Sequence, residues 1–252
     1  MALILAIDAG NTRIKWGLHD GEAWREQGWA ETARAGSLAA AFGGLPAVET
    51  VIASNVAGDT VRETLTALLP AAEYPVRWIK STREQCGVRN GYHEPLELGS
   101  DRWAALIGAW TLHSDAAVVV NAGTALTVDA LSGDGVFLGG FIAPGTELML
   151  EALAGNTAAL ARQLGAFSYF PDRTGNALMS GAINAQCGAI ERMAAFLEDT
   201  GAAAPLCIMS GGGAELLQPH LNMEVRLVDR LVLSGLVAIA AADRPKHTRA
   251  VL

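Results

Sequence analysis

Two short stretches of the chain share a pattern of strand, polar turn and strand. In residues 118–129, three valines are followed by Asn121-Ala122-Gly123-Thr124 and then by alternating apolar and polar residues. In residues 3–18, an apolar run is followed by Asp8-Ala9-Gly10-Asn11-Thr12 and a second run containing Ile14 and Leu18. Apolar runs interrupted by Gly-containing turns are typical of strands. The repetition predicts two related domains that face each other across a cleft.

Both turns have a composition that suits an anion. Glycine lets the backbone approach a ligand closely, and Asn, Thr and Asp side chains supply hydrogen-bond donors and acceptors. Backbone N–H groups gathered in a turn form a concavity that suits phosphate. Each turn by itself is more typical of an ordinary hairpin, and it is the pairing of the two turns that favours polyphosphate binding.

Strand and helix patterns alternate along the chain, which predicts an α/β protein. The 252 residues are 51% hydrophobic and 17% charged, enough apolar material for two domains that each bury a core. We expect an N-terminal domain over residues 1–113 and a C-terminal domain over residues 114–252, divided at a short polar break.

The composition argues against nucleic-acid and membrane partners. The net charge is −8 and the chain has no Lys/Arg cluster. The longest late apolar run, residues 231–242, is too short to span a bilayer and predicts a buried helix. Cys86, Cys187 and Cys207 are far apart and lack metal-ligand spacing, which favours reduced thiols in a cytoplasmic protein.

The segment Gly99-Ser100-Asp101-Arg102 precedes a strongly apolar helical pattern over residues 103–110. Asp101 can be a helix cap and Arg102 a solvated surface residue, which is the simpler interpretation. Alternatively, the carboxylate accepts a proton while the guanidinium holds an anion. A further glycine-rich turn, Ser210-Gly211-Gly212-Gly213, lies between a predicted strand and a predicted helix, as in many nucleotide-binding sites.

Taken together, these motifs resemble those of type III pantothenate kinases, in the same order and along essentially the whole chain. The matching segments are residues 8–15, 99–102, 121–129 and 139–145 (Gly-Gly-Phe-Ile-Ala-Pro-Gly). That family belongs to the actin-like ATPase superfamily, together with sugar and acetate kinases. The resemblance implies an α/β fold of two ribonuclease-H-like domains facing a nucleotide cleft. It also implies ATP-dependent phosphorylation of pantothenate to 4'-phosphopantothenate, the first step of coenzyme A biosynthesis.

The resemblance implies a role for each motif residue. ATP would be bound by Asp8, Ala9, Gly10, Asn11, Thr12, Arg13, Ile14, Lys15, Thr124, Gly211 and Gly212. Asp8 would meet Mg²⁺ through water, and Asp101 would be the general base. Pantothenate would be bound by Tyr92, Gly99, Ser100, Asp101, Arg102 and Thr174, in a pocket at a homodimer interface. A guanidinium fork from Arg102 would suit the carboxylate of this substrate.

Asn121 departs from the family pattern. The family usually has Asp at this position, where it binds an activating monovalent cation, potassium or ammonium. Asn keeps a carbonyl oxygen but loses the negative charge, so we expect little dependence on that cation.

Two other functions are compatible with the same motifs. One is a different ATP-dependent kinase of the superfamily, acting on a sugar or an acid. The other is a catalytically silent ATP-binding regulator, since some relatives of the family are described as accessory factors for transcription. The presence of both Lys15 and Asp101 favours a kinase, because binding alone needs no base.

Overall fold

The computed structural model describes residues 3–69, 75–156 and 165–243. The chain forms two compact units. The first unit contains the chain up to Gly87, Glu94–Thr111, and the chain from Leu231 onward. The second unit contains Val88–His93 and Leu112–Arg230.

The first unit is built on a mixed five-stranded sheet. Its strands are β1 (Ile4–Ala9), β2 (Arg13–His19), β3 (Trp24–Glu31), β4 (Thr50–Asn55) and β5 (Val76–Trp78). They lie in the order β3-β2-β1-β4-β5; β1, β2 and β3 are antiparallel, whereas β4 is parallel to β1 and β5 to β4. The central strand β1 is apolar and buried along nearly its whole length, as its neighbours on both sides require.

Within the described residues, the first unit also contains four α-helices and three short elements. They are α1 (Ala39–Gly43), α2 (Asp59–Leu68), α3 (Ser100–Leu112) and α7 (Leu231–Ala242), with 3-10 helices at Thr32–Leu38 and Pro95–Glu97 and a short strand β6 (Glu84–Gln85). The core below them is formed by buried side chains of the sheet and its connections, among them Leu5, Ile7, Ile14, Leu18 and Phe42.

The second unit contains a second mixed sheet. Its strands are β7 (Val88–Asn90), β8 (Ala117–Ala122), β9 (Ala125–Leu131), β10 (Val136–Pro144), β11 (Leu206–Ser210) and β12 (Val225–Leu227), in the order β12-β11-β8-β9-β10-β7. Helices α4 (Thr146–Asn156), α5 (Thr174–Asp199) and α6 (Ala214–Leu217) complete the unit, together with a 3-10 helix at Gln218–His220. Its core contains Val118, Val120, Ile183, Ile190 and Met209.

The two sheets repeat one topology. β8, β9 and β10 are antiparallel, β11 is parallel to β8 and β12 to β11, which matches the pairing of β1 to β5 strand for strand. The predicted internal duplication and the predicted α/β class are therefore confirmed. In each repeat the Ala-Gly turn joins the first strand to the second, β1 to β2 and β8 to β9.

Helix α7 packs on α3 within the first unit, with almost no space between the two backbones. A Cβ atom added to Gly108 would lie 2.5 Å from the carbonyl oxygen of Leu231, and one added to Gly235 would collide with the carbonyl oxygen of Ala104.

The expected domain bounds, residues 1–113 and 114–252, remain a prediction. The compact units differ from them because α7 belongs to the first unit and Val88–His93 to the second.

Candidate functional site

Asp8 lies near the end of β1, in the middle of the first sheet. It is opposite Lys15 of the antiparallel neighbour β2 and opposite Ser54 of the parallel neighbour β4. Its Oδ1 atom is buried and has no hydrogen-bond partner within the described part of the chain. Burial raises the pKa of Asp8 to about 7; the negative charge of Asp101 raises this pKa as well, and Lys15 lowers it. A buried carboxylate oxygen without a hydrogen-bond donor is costly, which is typical of a functional position.

The turn after β1 is a tight hairpin. The Gly10 N–H donates to the carbonyl oxygen of Arg13 over 3.1 Å, and the Thr32 hydroxyl donates to the carbonyl oxygen of Gly10 over 2.7 Å. The guanidinium of Arg13 lies 4.8 Å from the ring centre of Trp29, so this side chain stacks on an aromatic ring. The hairpin geometry agrees with either interpretation of the turn, and the buried Asp8 beside it favours the functional one.

Helix α3 brings Ser100 and Asp101 to the same region. The Ser100 and Ser54 hydroxyl oxygens are 2.8 Å apart, within hydrogen-bond distance. The Trp103 N–H donates to the carbonyl oxygen of Gly99, so Gly99 precedes the helix and Asp101 is its second residue. Asp101 therefore does not occupy the cap position that the simpler interpretation gave it. Its carboxylate lies in the first helical turn, where the helix dipole favours negative charge.

Gly99 leaves room for the Asp101 side chain. The Asp101 Oδ1 atom accepts a hydrogen bond from the Arg102 N–H over 2.8 Å, and a Cβ atom at Gly99 would lie 2.6 Å from the same Oδ1. Within the predicted segment 99–102, the space at Gly99 and the N–H of Arg102 therefore orient the carboxylate of Asp101.

Arg102 is only 6% exposed. The interpretation of Arg102 as a solvated surface residue is therefore wrong. Neither this burial nor the contribution of Ser54 was visible in the sequence, since a serine at the end of a strand and an arginine at the start of a helix are both ordinary.

In the second unit, two other glycine-containing segments contact the turn of residues 121–124. The Gly145 N–H donates to the carbonyl oxygen of Thr124 over 2.8 Å, and a Cβ atom at Gly145 would collide with the carbonyl oxygen of Gly123. The Gly213 N–H donates to the carbonyl oxygen of Ala122 over 2.9 Å. Gly211 has a φ of +103°, a conformation that favours glycine. The segment containing Gly145 thus supports this turn; its glycines suggested a close backbone approach, and the structure shows that the partner is the turn of residues 121–124.

Asn121 lies at the end of β8, beside this turn. It is opposite Thr127 on β9 and Ser210 on β11. The structure therefore brings the predicted ATP residues Thr124, Gly211 and Gly212 into one region of the second unit, together with Asn121.

Tyr92 and Thr174 occupy different settings in the second unit. The Tyr92 ring centre lies 5.0 Å from that of Phe137, and its backbone N–H donates to the Asn90 side-chain oxygen. Thr174 begins α5 and lines a mainly apolar cavity of about 600 Å³ between α4 and α5, with Met149 among the other lining residues. Of the residues predicted to bind pantothenate, Tyr92 therefore packs against an aromatic ring, whereas Thr174 lines an apolar cavity.

Asp8 fits a magnesium ion that is bound together with phosphates. Its buried, unpartnered oxygen is a hard anionic ligand, and Mg²⁺ in kinases commonly has one or two carboxylates, water and substrate phosphates as ligands. Over residues 3–69, 75–156 and 165–243, no three acidic, His or Cys side chains form a metal-binding cluster. In the same ranges, no helix is both long and apolar enough to cross a membrane.

Comparisons with known proteins agree with this architecture. The family model described as type III pantothenate kinase matches residues 4–195. The type III pantothenate kinase of Nitrosospira multiformis is 50% identical over 238 residues, covering 94% of this chain and 91% of the relative. That of Aromatoleum aromaticum is 48% identical over 244 residues, covering 96% and 99%.

Solved structures show the same fold at low sequence identity. A conserved putative Baf family transcriptional activator from Campylobacter jejuni superposes with a TM-score of 0.61 at 20% identity, covering 94% of this chain and 98% of that one. The solved neighbours have the fold of actin-like ATPases, so the predicted fold class is confirmed.

Proposed function

Because this chain belongs to the type III pantothenate kinase family, we propose that Asp101 is the general base in its transfer of a phosphoryl group from ATP to pantothenate. Phosphorylation of pantothenate, in coenzyme A biosynthesis, is the activity of this kinase. The acceptor atom is the primary hydroxyl of pantothenate, and the product is 4'-phosphopantothenate. The observation that carries the proposal is the grouping of Asp8, Ser54, Ser100 and Asp101, in which one carboxylate raises the pKa of the other.

Asp101 suits the role of a base that accepts the hydroxyl proton late in phosphoryl transfer. Phosphoryl transfer depends mainly on positioning and on neutralising charge at the phosphoryl oxygens, so the demands on the base are modest. A carboxylate in this position can orient the acceptor hydroxyl and take its proton late in the transfer. The hydrogen bond from the Arg102 N–H holds this carboxylate in one orientation.

We assign ATP binding to residues of both turns. The proposed residues are Asp8, Ala9, Gly10, Asn11, Thr12, Arg13, Ile14 and Lys15 in the first unit, and Thr124, Gly211 and Gly212 in the second. Lys15 would be a point charge toward the phosphates, and Asp8 would hold Mg²⁺ through water. Bound Mg²⁺ supplies neutralisation of phosphate charge. The unpartnered Asp8 oxygen supports this assignment.

The pantothenate-binding residues in this proposal are Tyr92, Gly99, Ser100, Asp101, Arg102 and Thr174. The local arrangement of residues 99–102 supports the assignment of that segment.

We also propose that the chain acts in the cytoplasm as a homodimer. The apolar cavity that Thr174 lines supports a dimer, since exposed apolar grooves mark interaction surfaces. Near it in sequence, Tyr169 and Phe170 are 85% and 92% exposed. Such aromatic residues are enriched at protein interfaces. Sedimentation at micromolar concentration should show a single species of twice the chain mass, and a monomer would contradict this part of the proposal.

An assay of ADP release tests the function. The purified protein is mixed with ATP and, in parallel, with pantothenate, with a panel of sugars, and with no acceptor. We expect ADP release only with pantothenate. Release with a sugar alone would indicate a different kinase, and ATP binding without release in any mixture would indicate a regulator.

A further inference from the structure

Two buried serine hydroxyls contact the chain at the start of residues 99–102, the acceptor segment. The Ser54 hydroxyl oxygen lies 2.8 Å from that of Ser100, and the Ser81 hydroxyl donates to the carbonyl oxygen of Leu98 over 2.5 Å. Ser54 is fully buried and Ser81 is 3% exposed. A buried hydroxyl without a partner is costly, so these two contacts satisfy groups that packing has removed from water.

Both serines belong to the parallel part of the first sheet. Ser54 is on β4, in register with Asp8 of the neighbouring strand β1. Ser81 follows β5, and the Ile79 N–H donates to the carbonyl oxygen of Ala53 over 2.9 Å, so the chain stays paired with β4 just before Ser81. The two hydroxyls therefore lie on adjacent chains at the carboxyl ends of parallel strands, the edge at which α/β sheets commonly bind ligands.

The backbone at the start of the acceptor segment needs support from outside. A Cβ atom at Gly99 would lie 2.6 Å from the Oδ1 atom of Asp101, so this position requires a glycine. Glycine leaves the backbone more freedom than any other residue does. The contacts at Leu98 and at Ser100 lie on the two sides of this glycine, so together they restrain the chain that leads into α3.

We propose that Ser54 and Ser81 are positioning residues, which fix the carboxylate of Asp101 relative to the strand that carries Asp8. The inference rests on the proposed function. Ser100 is the first residue of α3 and Asp101 the second, so a shift of Ser100 moves the carboxylate as well. A displacement of reacting groups by about 1 Å can lower a rate by about a hundredfold. Because both serines act through the acceptor segment, their loss should lower kcat and leave the KM for ATP nearly unchanged.

The test measures steady-state kinetics with pantothenate and ATP for Ser54→Ala, for Ser81→Ala and for the double variant. A double-mutant cycle with Ser100→Ala determines whether Ser54 acts through Ser100. The control is Val48→Ala, which truncates a buried side chain in the core cluster of the first sheet, to which no residue of the acceptor segment belongs. Equilibrium titration with ATP counts the folded sites in each variant, so that a loss of folded protein is not taken for a loss of turnover.

We expect kcat per ATP site to fall about three- to tenfold in each single serine variant and about 30- to 100-fold in the double variant. The KM for ATP should stay within about twofold, and Val48→Ala should keep the wild-type kcat per site within about twofold. In the Ser100→Ala background, Ser54→Ala should lower kcat by less than about a further twofold. An equal effect of Ser54→Ala in both backgrounds, or an unchanged kcat per site in the double variant, would overturn the inference.

Hydrogen exchange of the ligand-free proteins gives a second measurement that does not depend on activity. The amides of residues 98–103 should exchange about tenfold faster in the double variant than in Val48→Ala, because the restraint on this chain is lost. Equal exchange in the two variants would also overturn the inference. A wild type inactive with pantothenate would contradict the proposed function itself.

Discussion

At the scale of single residues, the carboxylate of Asp101 should govern turnover. Replacement of Asp101 by Asn keeps the size and the first-turn position of the side chain but removes the proton acceptor. We expect kcat to fall by about 10²–10⁴, the range for loss of a general base. The Kd for ATP should stay within about twofold, since Asp101 belongs to the acceptor segment.

The control for this change is Ser54→Ala, which removes the hydroxyl contact to Ser100 without touching the carboxylate. A loss of about tenfold or less is expected there, because one hydrogen bond is lost. Activity of Asp101→Asn close to that of wild type would mean that the carboxylate only stabilises the start of α3.

Asn121 is the second residue whose chemistry makes a prediction. A neutral amide attracts a monovalent cation much less than a carboxylate does, particularly at a partly buried position. We therefore expect wild-type activity in sodium or Tris buffer to change less than about twofold when potassium chloride is added. The Asn121→Asp variant should gain a potassium response. A wild type that is nearly inactive without potassium would contradict this prediction.

At the scale of elements, the contact of α7 with α3 depends on Gly235. Its missing side chain lets the Ala104 carbonyl oxygen approach the backbone of α7. Gly235→Ala should lower the free energy of unfolding by about 1–3 kcal/mol, because the added methyl group forces the helices apart. Gly188→Ala in α5 is the matched control, because a Cβ atom there meets nothing within 4 Å.

In the control, helix propensity alone should act and raise stability by up to about 1 kcal/mol. Urea unfolding of both variants measures the difference. Equal effects of the two substitutions would show that α7 and α3 can separate at little cost.

Comparison of these elements with the sequence shows what a pattern can predict. The apolar runs and glycine turns predicted β1, β2, β8 and β9, and their repetition predicted the shared topology. The helix at residues 231–242 was also predicted, but its partner was not. Gly235 and Ala104 are far apart in the chain, and an apolar helix packs equally well on many surfaces.

The same distinction applies to the candidate site. Asp8 and Asp101 lie in recognisable motifs, so they were predicted as site residues. The contact of Ser54 with Ser100 and the burial of Arg102 come from packing between separate segments. No local pattern of residues reports such packing.

At the scale of the whole molecule, Asp8 should lower stability at neutral pH. Burial raises the pKa of its carboxyl group from the ordinary value of 3.8 to about 7 in the folded protein. Between these values the folded state binds more protons than the unfolded state, so the free energy of unfolding falls as pH rises. Above pH 7 both states are ionised and the cost remains constant.

Asp8→Asn removes this titration. The ligand-free variant should become more stable relative to wild type between about pH 4 and pH 7, with a constant difference above that range. Urea unfolding at pH 4.5, 6 and 8 measures the change. Parallel curves for the two proteins would show that Asp8 is not destabilised by burial.

The return of α7 to the first unit has a consequence for synthesis on the ribosome. The first unit needs Leu231–Ala242, which is made after the whole of the second unit. The second unit is complete once Arg230 has emerged and can fold earlier. Ribosome-bound chains ending at residue 230 plus an exit-tunnel spacer should therefore resist protease in the second unit while β1–β5 are still cleaved. Protection of both units at this length would mean that the first unit is stable before its last helix arrives.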